Sequence, residues 1–120
     1  MITTKTILGA TVYGTPSGNY DGSSQDWASD PQEAANYYRG RGGLQTVLIT
    51  VTNFVGEIVI EATLDSVAET AVWFETYTFG DLNTPVTDIH PTNIQGNFVW
   101  LRARVVGFDG GTINSVSVSY

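Results

Sequence analysis

Period-two alternation across residues 96–120 (GNFVWLRARVVGFDGGTINSVSVSY) constrains this chain more than any other feature. Val99, Leu101, Ala103 and Val105 fall on one side of an extended backbone, and Phe98, Trp100, Arg102 and Arg104 on the other. That is the spacing of a strand and not of a helix. Val116, Val118 and Tyr120 alternate in the same way with Ser115, Ser117 and Ser119. Between the two runs lies Phe108-Asp109-Gly110-Gly111, whose Asp-Gly and Gly-Gly steps tolerate the positive φ of a tight turn, so the pattern predicts a β-hairpin. Ile113 falls out of phase, which predicts a β-bulge near Asn114. A lone hairpin is marginal in water, so further strands must cover its aliphatic face.

Those strands are predicted upstream. Residues 3–13 are rich in β-branched side chains and broken by Gly9. Residues 15–29 (TPSGNYDGSSQDWAS) form a polar loop full of turn formers, long enough to serve as a functional or assembly arm. Asp30-Pro31-Gln32-Glu33 has the cap, proline and glutamate of a helix start, with at most two turns before the glycine-rich 39–43 segment stops it. Residues 44–54 read as a strand, 53–56 as a turn and 57–64 as a returning strand. In that return Ile58, Ile60, Ala62 and Leu64 point inward, and Glu57, Glu61 and Thr63 outward. Residues 72–79 read as another strand, and 80–95, with Pro85 and Pro91, as an irregular linker. The prediction is one all-β domain over residues 1–120: an antiparallel two-sheet β-sandwich, jelly-roll-like, with at most one short helix near 31–38. Residues 1–36 supply an N-terminal strand and arm, and residues 37–120 the sandwich core.

Charge narrows the function classes. Lys5, Arg39, Arg41, Arg102 and Arg104 are the only basic residues, against 12 acidic ones and a formal net charge of -7. Binding to a phosphate backbone needs clustered cations, so no nucleic-acid partner is expected. Charged residues make up 14% of the chain, below the roughly 25% of ordinary soluble domains. Thr, Ser, Asn and Gly take their place, as suits a β-rich protein with much of its surface covered by neighbours, or a robust extracellular-type particle. No apolar run nears the about 18 residues of a membrane span, and residues 1–5 lack the apolar core of a secretory signal, so no membrane partner is expected. The chain has no cysteine, which removes disulfides and thiolate ligands.

Groups that could carry chemistry are sparse. His90 is the only histidine, and a zinc site of the usual composition would lack ligands. Asp21, Asp26 and Asp30 do not follow EF-hand spacing and read as turn and cap residues. Glu57 and Glu61 lie about 13 Å apart at strand rise, wider than a glycosidase pair; with Glu75 they read as a solvent face. No catalytic residue, metal or cofactor is assigned, and a non-enzymatic protein is expected. The aromatic residues carry more information, because exposed rings stack on sugars and anchor protein interfaces. The candidate interface or ligand contacts are Trp27, Tyr37, Tyr38, Arg39, Arg41, Trp73, Trp100 and Arg102. Trp100 shares a face with Arg102 and Arg104, so either a partner meets that face or a loop folds over Trp100 while the arginines pair with acids.

Three stretches together resemble a known domain: 37–47 (YYRGRGGLQTV), 53–65 (NFVGEIVIEATLD) with Trp73-Phe74, and 96–105 (GNFVWLRARV) with Gly111-Thr112-Ile113. They are similar to a β-sandwich domain of tailed-phage virion structural proteins, especially those of marine cyanophages. The resemblance covers residues 37–120 and brings no catalytic motif. It implies a particle component (capsid decoration, neck, tail or fibre) assembled in the host cytoplasm and acting through contacts with other virion proteins. A homo-oligomer is expected, a trimer in preference, with residues 14–38 as the assembly surface. The alternative is a carbohydrate-binding module that recognises host surface glycans through exposed aromatics.

Overall fold

The computed structural model describes residues 3–38 and 43–120. Among these, the elements are strands apart from two short 3-10 turns, Ala35–Tyr38 and Ala68–Thr70. The strands are β1 (Thr4–Leu8), β2 (Thr11–Val12), β3 (Trp27–Ala28), β4 (Gln32–Glu33), β5 (Leu44–Thr63), β6 (Phe74–Gln95) and β7 (Trp100–Ser119). They form one seven-stranded sheet in the order β1-β7-β5-β6, with β2, β3 and β4 joining β1 along the outer edge of β7. All of its pairings are antiparallel. The all-β class expected from the alternation is therefore present.

The C-terminal stretch is not a hairpin. β7 runs from Trp100 to Ser119 antiparallel to β5 throughout, from Thr63↔Trp100 at one end to Thr46↔Ser119 at the other. Residues 53–56 do not reverse the chain either; they lie inside β5. The two irregularities face each other: Val55 pairs with Gly110, and the register shifts on both sides of that pair. Asn53 at φ 50, Gly107 at φ 63 and Gly111 at φ 81 supply backbone that suits a bulge as well as a turn. Local chemistry does not separate the two. A neighbour strand that bends at the same place does. The bulge expected at Asn114 is present, since Thr50 pairs with Ser115 and Val51 with Ile113.

Two further expectations are corrected. Residues 80–95 are not a linker; they continue β6, paired with β5 as far as Leu44↔Gln95. Pro85 and Pro91 are compatible with that strand because β6 is a sheet edge, where a missing N–H breaks no ladder. The Asp30–Glu33 helix start is replaced by β4, which pairs with Leu101 and Trp100; the short 3-10 turn at Ala35–Tyr38 follows it.

The long strands cannot be straight. Twenty residues at strand rise would extend about 66 Å, whereas the longest dimension of the molecule is 38 Å. The bulges fold each strand across its middle and change its side-chain phase. Val47, Ile49 and Val51 before the β5 bulge, and Ile58, Ile60 and Ala62 after it, enter one core. Leu101, Ala103 and Val105 do the same with Val116 and Val118 in β7. The Tyr77 hydroxyl meets His90 Nε2 although the two lie 13 residues apart on β6, about 43 Å if that strand were straight. At the bend Phe54 and Phe108 are fully buried with ring centroids 5.6 Å apart. Tyr13, Tyr20 and Trp27 close around Phe108 at 5.6, 5.1 and 6.2 Å.

Residues 14–38 are not a free arm. Tyr20 is buried, β3 and β4 pair with β7, and Ser29 exchanges bonds with Ala103 through both its backbone and its hydroxyl. The buried Gln45 side chain accepts from Ala35 N–H and donates to the Gly43 and Gly96 carbonyls. The segment seals the edge of β7 that would otherwise be open.

Candidate functional site

Beyond the core, the bent sheet presents two outward faces, one on either side of the bend. On the 57–63 side, the outward positions of β5 and β7 bring together Glu61, Arg102 and Arg104. Glu61 Oε1 accepts from Arg102 Nε at 2.7 Å and Oε2 from Arg104 Nε at 2.9 Å. Arg104 Nη2 also donates to Glu75 Oε2 at 3.0 Å. The pairs follow from register, since Glu61 sits opposite Arg102 on one side and Glu75 on the other. Glu61 is only 7% exposed, so the expectation that it faces solvent is wrong. Thr63 is buried as well, and Leu64 is exposed rather than inward.

The cover comes from residues 64–73. Asp65 anchors that loop by accepting from Val72 N–H at 2.8 Å, while its own N–H donates to Thr63 Oγ1. The Trp100 indole N–H donates to the Ser66 carbonyl at 3.2 Å. Trp73 lies under the Arg102 guanidinium at 4.4 Å, a stabilising cation–π contact. Of the two arrangements considered for Trp100, the structure shows the loop folded over it and the arginines paired with acids. Burial and pairing make this a neutral, internally satisfied cluster: two carboxylates against two guanidiniums.

The remaining sequence candidates are dispersed. Trp27 packs into the aromatic group at the bend, 5.2 Å from Tyr20, with its indole N–H buried and without a partner. Tyr37 meets Trp100 edge-on at 5.0 Å. Tyr38 closes the 3-10 turn, and Arg39 and Arg41 lie outside the described residues. Tyr37, Trp73, Trp100 and Arg102 thus come together, whereas Trp27 is elsewhere. His90, placed in a linker by the sequence, stands on β6 against Tyr77 and Phe79, with Asp88 Oδ2 at 3.6 Å from its Nδ1. Asp21 accepts from Ser23 and Ser24 N–H. These bonds, with the Ser24 hydroxyl, lower its pKa from 3.8 to about 2. It is a turn residue, and no group of three or more metal-ligating side chains forms among the described residues.

The second outward face escaped sequence reasoning. It spans four strands on the 44–52 side of the bend. One cross-strand row reads Thr4, Ser119, Thr46 and Asn93; the next reads Thr6, Ser117, Leu48 and Pro91. A third row carries Ser115, Thr50 and Ile89. Thr46 donates to Asn93 Oδ1 at 2.7 Å, and Asn114 to Thr52 Oγ1 at 3.1 Å. No residue of these rows is charged, in a chain of net charge -7. The signal was present as Thr and Ser at alternate positions, but their shared face depends on which strands are neighbours. No membrane-length apolar helix occurs among the described residues. Comparison with family models, with curated proteins and with solved structures finds no match to this chain.

Proposed function

We infer that this chain is a non-enzymatic structural protein of a tailed-phage virion, acting through protein–protein contact. The particle assignment rests on the sequence resemblance over residues 37–120. The contact role rests chiefly on one observation: the uncharged four-strand face, made of hydroxyl, amide and apolar side chains, is suited to lying against another protein surface. The charged groups that might have done chemistry are tied to each other, with Glu61 held by both arginines. We read the folded sheet as a two-layer, jelly-roll-like sandwich, in which the halves of β5, β6 and β7 on either side of the bend face one another across the shared core.

The carbohydrate-binding alternative draws less support. A sugar platform needs an aromatic face turned to solvent. Here Trp27 packs in the core group, Trp73 carries Arg102, and Trp100 is held by Ser66 and Tyr37. Mass spectrometry of purified phage particles encoding this chain tests the proposal. The chain should be present at many copies per particle and should remain after washing at high salt. Its presence in infected-cell lysate together with absence from particles would overturn the reading.

A further inference from the structure

We propose that the uncharged face centred on Leu48 and Ser117 is a self-association surface, and that its occupant is a second copy of this chain. This deepens the homo-oligomer reading above and depends on it.

Charge supplies the first argument. A chain with an excess of seven negative charges repels its own copies wherever acidic surfaces meet. The free edge strand β6 carries Glu75, Asp81 and Asp88 with no Lys or Arg, and the face on the other side of the bend adds Glu57 to a Glu61–Glu75 pair already balanced by Arg102 and Arg104. The rows around Leu48 carry no charge, so two copies can meet there without placing like charges opposite each other.

Shape supplies the second. The neighbouring positions on β7 are Ser115, Ser117 and Ser119, short enough to let a second sheet approach closely, while Leu48, Pro91 and Ile89 form an apolar strip beside them. Ile89 is 68% exposed. Four strands at sheet spacing and about eight residues of strand length give about 500 Å² per copy, so about 1,000 Å² in a pair. That reaches the size at which specific interfaces begin. Hydroxyl and amide groups between the apolar residues supply the hydrogen bonds that such an interface needs.

The test is light scattering coupled to size-exclusion chromatography over a concentration series, with Leu48→Glu, Leu48→Lys and Thr78→Glu beside the natural chain. The natural chain should associate. Each Leu48 variant alone should weaken association by about 100-fold or more, because like charges would face each other. Mixing the Glu and Lys variants should restore it, which a misfolded variant would not do. Thr78→Glu, on the outward face beyond the bend, should leave association unchanged. A natural chain that stays monomeric throughout would defeat both this proposal and the homo-oligomer reading. An oligomer indifferent to charge at Leu48 would defeat this surface alone and move the contact elsewhere, for instance to the β6 edge. A monomer that captures a glycan or another virion protein through this face would overturn the assignment of a second copy as occupant.

Discussion

Glu61 shows how register turns an ordinary glutamate into a structural one. Alternation alone puts it on the outward side of β5, where a carboxylate is expected to be solvated. Two features that alternation does not contain place it against Arg102 and Arg104: the β5–β7 register and the 64–73 loop lying over the neighbouring Trp100. Charge-assisted bonds from two guanidiniums are stronger than neutral ones, and removing Glu61 leaves Arg102 without its carboxylate and Arg104 with only the exposed Glu75. Glu61→Ala should therefore destabilise the fold by about 2 kcal/mol, read as a lower urea midpoint. Glu75→Ala removes only an exposed contact to Arg104 and should cost less than about 0.5 kcal/mol. Equal effects of the two would contradict a buried, doubly held Glu61. The facing of Arg102 and Arg104 away from the aliphatic side was legible at this scale. Their partner was not, because Glu61 and Arg102 are 41 residues apart.

Among elements, the informative ones are the paired irregularities in β5 and β7. Gly111 has φ +81, and a Cβ there would lie 2.0 Å from the Asn53 carbonyl oxygen. Both the backbone conformation and the close approach of the two strands require glycine at this position. Gly111→Ala should cost about 3 kcal/mol or more, whereas Gly9→Ala, with nothing within 4 Å of the added carbon, should change stability by less than about 0.5 kcal/mol. Thermal or chemical denaturation of the two variants checks this contrast, and a tolerant Gly111 would mean that the strands do not meet at the bend as described. The same glycine chemistry explains why the sequence pointed to a hairpin. Asp-Gly and Gly-Gly permit a sharp backbone path, and only pairing with residues far along the chain decides whether that path reverses the strand or bends it. Pro85 and Pro91 misled in a related way, since a proline that disqualifies a central strand is acceptable on the free edge of β6.

At the scale of the whole molecule, alternation carried the class and most of the core. Val47, Ile49, Val51, Leu101, Ala103 and Val105 are all buried, on the sides that period two assigns them. Connectivity was beyond reach for a physical reason: a short-range pattern records which face a residue occupies and not which strand lies beside it. The uncharged face exists only because β1, β7, β5 and β6 stand in that order. The whole architecture therefore turns on the continuous pairing of β5 with β7 through the bend, and a backbone NOESY spectrum tests that pairing most directly. Cross-strand contacts should link Thr46 with Ser119 and Thr63 with Trp100, with no backbone contacts between residues 100–105 and 113–119. Backbone contacts between those two segments, in the ladder of a hairpin closed at Gly110-Gly111, would contradict it.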